Sequence, residues 1–115
     1  MVEKWIREIK DQCPAEALGM ILIHNGIVRA TGKDGGPVHA MRLSYDREGL
    51  DRAVQEASRK EGVAAVRVWI NEGVLDVGDD IMNLCVAGRF RTDILPVFEA
   101  LLKTVKADIV REEEM

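Results

Sequence analysis

The stretch Leu84-Cys85-Val86-Ala87-Gly88-Arg89-Phe90-Arg91-Thr92-Asp93 constrains the fold of this chain more than any other. It reads as a buried strand that runs directly into a helix, and a strand with no polar face must lie inside a core. Arg89 and Arg91 stand at the junction, and Lys103 and Lys106 follow on the helix. Together they form a candidate anion site.

That site must be local, because sixteen Lys and Arg against twenty Asp and Glu give a formal net charge of -4. Such a balance argues against sequence-independent nucleic-acid binding, which needs a net basic surface. With 115 residues, 47% of them hydrophobic, residues 1–115 are expected to form a single domain around one core. Cys13 and Cys85 lie far apart in the sequence, so no disulfide framework is expected and a cytoplasmic setting is the default. The charged first ten residues hold no apolar leader, and no later segment approaches membrane-spanning length; no membrane association is expected.

Val2, Trp5, Ile6 and Ile9 recur at helical spacing, and Pro14 ends the pattern, predicting a short amphipathic helix packed on the domain. Residues 19–29 and 38–45 are β-rich, and the loop Thr31-Gly32-Lys33-Asp34-Gly35-Gly36-Pro37 between them predicts a hairpin. From Asp46 to Glu61, Leu50, Ala53, Val54 and Ala57 mark a second helix stopped by Gly62, with Glu56 and Lys60 as an i,i+4 pair. Two strands follow, Val63 to Ile70 and Ile81 to Ala87, joined by a turn-rich segment.

The final helix is predicted to begin at Thr92 or Asp93, either able to cap its first amides. Its apolar stripe is read as Leu95, Phe98, Leu102, Val105 and Ile109, followed by a short acidic tail at Glu112-Glu113-Glu114. Lys106 lies about 70° from the centre of that stripe and Lys103 about 130°, so Lys106 is the better site residue. The order helix, strand, strand, helix, strand, strand, helix indicates an α+β domain with antiparallel strands and about three helices.

Several motifs carry less. Gly32-Lys33-Asp34-Gly35-Gly36 lacks the Ser/Thr of a phosphate loop and precedes a strand, so it is read as a turn. Asp76, Asp79 and Asp80 lack the spacing of a calcium loop and are read as solvated turn residues. His24 and His39, the two histidines, have no ligand-spaced neighbours; no metal site and no cofactor are expected. Arg29 reads by itself as an ordinary strand-end cation. Arg89 and Arg91 are expected on one side of an extended segment and Phe90 on the other, with Arg91 able to add a bidentate donor to the amides that open the last helix.

Taken in order, Gly19 with the strand into Gly26-Ile27-Val28-Arg29, then Leu43-Ser44-Tyr45, then Gly73-Val74-Leu75-Asp76-Val77-Gly78-Asp79-Asp80, then Phe90-Arg91 with Lys106, resemble the large, catalytic subunit of molybdopterin synthase. The likeness runs from Gly19 to Glu112. It implies an α/β hammerhead fold and a sulfurtransferase of molybdenum cofactor biosynthesis. It also implies a homodimer of large subunits within a heterotetramer. The small ubiquitin-like partner would deliver sulfur from a Gly-Gly thiocarboxylate tail to a cyclic pyranopterin phosphate. By the same resemblance Lys106 is the catalytic lysine, and Arg29, Phe90, Arg91 and Arg111 line the substrate site. The chain departs from the family pattern at Phe90, where the family has His, at Ile70-Asn71, where it has a second His-Arg pair, and at His24, where it has an aromatic residue. Arg111 stands where a second lysine is expected, and arginine stays protonated. A non-catalytic homologue that binds the ubiquitin-like partner or an anionic metabolite is the alternative expectation, and a plain dimeric interaction module a third.

Overall fold

The computed structural model describes Met1–Met115. Its elements are α1 (Val2–Gln12), β1 (Met20–Ile27), β2 (Ala40–Tyr45), α2 (Arg47–Ser58), β3 (Val63–Ile70), β4 (Gly73–Asp76), β5 (Asp80–Gly88), α3 (Arg91–Thr104), a π-helical turn (Val105–Ile109) and β6 (Val110–Glu114). Two antiparallel three-stranded sheets form, one ordered β1-β5-β3 and the other β4-β2-β6. The result is the expected α+β architecture with three α-helices.

β5 is the axis of the fold. Leu84, Cys85, Val86 and Ala87 are fully inaccessible, as the opening run requires. The pleat sends Met82, Leu84 and Val86 into the main core beneath α2 and α3, and Cys85 and Ala87 to the other face, where Ile9 of α1 covers them. Both faces of the central strand are thus dry, one under each helical layer.

The hairpin predicted across residues 19–45 does not form. β1 pairs with β5 and β2 with β4 and β6, so the two β-rich segments enter different sheets. The Gly32–Gly36 loop is a local closure instead: Thr31 bridges Pro37, and Asp34 Oδ1 accepts from Gly36 N at 2.8 Å. Turn chemistry set the loop correctly, but β1 finds more apolar surface against β5 than against β2. The turn-rich segment after Ile70 also holds a short strand, β4, laid along β2.

The last helix departs from its expected phase. Ile94 and Leu101 are its buried residues, whereas Leu95 is 39% exposed, so the buried stripe lies one residue earlier than predicted. Pro96 stands within the helix, and the same face continues through Val105 and Ile109, both buried, at the two ends of the π-helical turn. The helix ends there, and the acidic tail becomes β6, paired with β2 from Met41↔Glu114 to Tyr45↔Val110. Asp46 caps α2 by accepting from Gly49 N at 3.1 Å, but Glu56 and Lys60 form no ion pair.

The molecule measures 47 × 25 × 23 Å with a radius of gyration of 15.1 Å. A globular chain of this length has about 13 Å. The excess reflects two small sheets placed apart rather than one continuous layer. No helix is long and apolar enough to cross a membrane.

Candidate functional site

The junction that opens α3 is held by charge. Arg89 Nε donates to Asp93 Oδ2 at 2.8 Å, and its NH2 group reaches Glu61 Oε1 at 3.2 Å. Hydrogen bonds to Asp93 and Glu61 raise the pKa of the Arg89 guanidinium further. Arg89 is therefore fully engaged with two carboxylates and is not available to a ligand anion. Its guanidinium also lies 5.5 Å from the Phe90 ring centroid, so Arg89 and Phe90 share a side instead of alternating. Neither Thr92 nor Asp93 caps α3: Phe90 occupies the N-cap position, with no side-chain bond, and Asp93 is drawn to Arg89.

Phe90 is 62% exposed, and Arg91, the first residue of α3, is exposed with no ion pair. Lys106 lies fifteen residues further on, about 22 Å away along the helical run. Arg29 follows the far end of β1, where its Nε donates to Thr31 O at 2.9 Å. Because Met20, at the near end of that strand, pairs with Gly88, Arg29 and Arg91 stand roughly 25–30 Å apart along the strand. Arg111, on β6, lines a cleft of about 390 Å³ with Ser44, Tyr45, Asp46, Asp108 and Ile109. A single chain therefore does not gather Arg29, Phe90, Arg91, Lys106 and Arg111 into one pocket, and of these only Arg111 lines one of the four principal clefts.

Lys106, on the π-helical turn, is exposed rather than laying its stem along the buried face. Its ammonium nevertheless acts on His24 of β1. The pKa of that imidazole is lowered, first by burial and then by the charge on Lys106. His24 Nε2 is buried with no hydrogen-bond partner. The sequence offered one hint of this buried ring, a histidine inside a mostly apolar strand, but not that a lysine eighty-two positions later would act on it.

A second cation is fixed near the Arg111 cleft. Arg47 donates to Tyr45 Oη at 2.9 Å and to Glu72 Oε1 at 3.0 Å, and lies 4.9 Å from the Tyr45 ring centroid. Sequence reasoning did not single out Arg47 or Tyr45 as a pair, because Glu72 reaches them from a distant loop. The carboxylates after β4 serve the turn, with Asp79 Oδ2 accepting from Asp76 N at 2.8 Å.

A family model described as MoaE protein matches residues 2–108. The chain belongs to the MoaE family. The solved folds agree: a molybdopterin synthase from Staphylococcus aureus superposes with a TM-score of 0.77 at 15% identity, covering 96% of this chain and 82% of that one. A molybdopterin cofactor biosynthesis protein E from Burkholderia multivorans gives 0.78 at 20%, covering 100% and 80%. A complex of subunits 1 and 2 of molybdopterin-converting factor from Helicobacter pylori contains a chain that gives 0.73 at 14%, covering 98% and 77%. No curated protein matches the chain. The MoaE fold is thus kept at low identity.

Proposed function

We propose that this MoaE family member acts in molybdenum cofactor biosynthesis as the large subunit of a molybdopterin synthase, moving sulfur from a small-subunit thiocarboxylate to a cyclic pyranopterin phosphate. The observation that carries the reading is Lys106, an unpaired cation on a π-helical turn, in a chain whose family match spans residues 2–108. π-helical turns recur at functional sites. An ammonium there can hold an anionic substrate and give or take a proton.

The wide spacing of Arg29, Arg91 and Lys106 fits a pocket completed by a second chain, either another large subunit or the small ubiquitin-like partner. A small partner is supported by the Helicobacter pylori complex of two subunits. The test combines the protein with a thiocarboxylated small subunit and the pterin precursor. Dithiolene product is expected, and Lys106→Ala abolishes it.

Phe90 favours a second reading, a non-catalytic homologue that binds the partner or an anionic metabolite without turnover. Phenylalanine offers neither proton nor acceptor at a position the resemblance assigns to the site. Partner binding with no product, unchanged by Lys106→Ala, would establish that reading in place of the first.

A further inference from the structure

β3 is an outer strand of its sheet, and seven of its eight residues are apolar. Asn71 N donates to Ile81 O at 2.9 Å, which fixes the phase of the ladder: Ala65, Arg67 and Trp69 bond β5, and Val66, Val68 and Ile70 turn their amides and carbonyls outward. The carbonyl of Ala64 accepts from Cys13 Sγ at 3.8 Å, so the open edge begins at Val66. There Arg67 folds back on its own strand, its Nη1 donating to Val66 O at 3.1 Å. A side chain thus stands where a ladder donor would.

The other outer strands are short, guarded or without a groove beside them. β4 has four residues, and β6 carries Glu112 and Glu114 on the face it shares with Leu43 and Met41, charges that oppose a further strand. β1 borders none of the four principal clefts. β3 borders one of about 350 Å³, lined by Leu50 and Val54 of α2 with Val66 and Val68 of the strand, and by Asp51 and Arg67. Free ladder groups along one side of an apolar cleft are the arrangement that takes up a peptide as an added strand.

The occupant is decided by charge and shape. A second copy paired through its own β3 would keep Val66 and Val68 beneath its own α2, leave the cleft unfilled and bring two Asp51 carboxylates to one seam. A lone strand has no such helix, and its side chains are free to enter. On an antiparallel strand the residue opposite Arg67 makes a pair without ladder bonds, where side chains lie closest, and its two neighbours point to the α2 side. Arg67 forms no ion pair within the chain. An acidic residue between two apolar ones therefore fits both the cation and the cleft.

We propose that the cleft between β3 and α2 binds an extended segment of a partner protein, carrying an acidic residue between two apolar ones, which adds antiparallel to β3 as a fourth strand. Its carboxylate draws Arg67 off Val66 O, and its backbone takes the place the guanidinium leaves. The surface is separate from the residues read as the substrate site, so it stands whether or not the chain transfers sulfur.

Backbone amide NMR of the full chain, titrated with the capped heptapeptide Ser-Thr-Val-Glu-Val-Thr-Ser, tests the pairing. Saturable shifts centred on Val66 and Val68 are expected, with slowed solvent exchange of both amides. N-methylation of the two peptide valines, which removes the ladder donors, should abolish them. Replacing the peptide's Glu with Lys should weaken binding about fivefold, the size of a cross-strand charge pair, and Arg67→Glu should reverse that preference. No saturable shift at millimolar peptide would overturn the proposal. So would equal affinity of the parent chain for the Glu and Lys peptides, a result that depends on no variant folding. Slow exchange at Val66 and Val68 without peptide, lost on dilution together with a dimer mass, would also overturn it and assign the edge to a second copy.

Discussion

Arg89 and Asp93, four residues apart across the start of α3, are joined by a 2.8 Å hydrogen-bonded ion pair, with the two side chains 39% and 23% exposed. This pair, extended to Glu61, ties the β5–α3 junction to the end of α2. It turns the most conspicuous arginine of the sequence from a ligand donor into a structural clamp.

Asp93→Ala should therefore lower the melting temperature, and more at low than at molar salt, because the clamp is partly open to solvent and screening weakens it. Thermal denaturation followed by circular dichroism at both salt levels checks this. An equal shift at both would mean that the carboxylate acts through something other than charge.

Gly88 ends β5 where the chain has no room for a side chain. A Cβ there would overlap the Gly62 carbonyl oxygen and the Ile94 side chain, and Arg89 N donates to that same carbonyl at 3.1 Å. Gly88→Ala is expected to cost about 3 kcal/mol, at the upper end for overpacking, since one of the obstructing groups is backbone. Urea denaturation supplies the number, and a loss under about 0.5 kcal/mol, the range of neutral surface changes, would show that the junction can open.

The two thiols should differ sharply. Burial pushes the Cys85 thiol up to about 11, and the residue is fully inaccessible, whereas Cys13 is part-exposed. Since the thiolate is the reactive form, a disulfide reagent at mild alkaline pH should label one thiol in the native protein and two in urea. Rapid labelling of both in the native state would contradict the packing of α1 over β5.

Ile9 is the one fully buried residue of α1 and sits against Cys85 and Ala87. Ile9→Ala should destabilise the protein by about 2–4 kcal/mol through the cavity it leaves. Cys85 labelling should accelerate in the same variant, because the helix that shields it is loosened. Slow labelling together with lowered stability would separate the two effects.

Stability should also depend on His24. Its folded pKa lies below the ordinary histidine value, so the unfolded chain binds the proton more readily. The contribution is complete above the unfolded pKa, about 6.5, and is lost as the pH falls from there through the folded value. Unfolding free energy measured across this window should drop toward acid in the parent and drop less in His24→Gln. Parallel curves would show that the imidazole is not held neutral by the fold.

Much of this architecture is written locally. The apolar run of β5, the periodicity of α1 and α2, the Val63–Ile70 strand and the Asp46 start of the second helix follow from side-chain spacing and cap chemistry, which act over a few residues, although that helix ends at Ser58 rather than running on to Gly62. Residue order along the chain likewise sufficed for the MoaE resemblance, since a family pattern is itself a sequence property.

Pairing and proximity were decided only by the tertiary structure. A loop rich in Gly and Asp specifies a turn but not the partners of its flanking strands, so β1 and β2 parted into separate sheets. The five residues Val110–Glu114 carry no record that β2 has a free edge, so β6 was invisible until that edge existed. The one-residue phase error in α3 and the π-helical turn arise because core packing, not propensity, chooses which face is buried. For the same reason Arg91 and Lys106, named together in the family resemblance, lie about 22 Å apart on the helical run, while the charge of Lys106 reaches His24, eighty-two positions away by number.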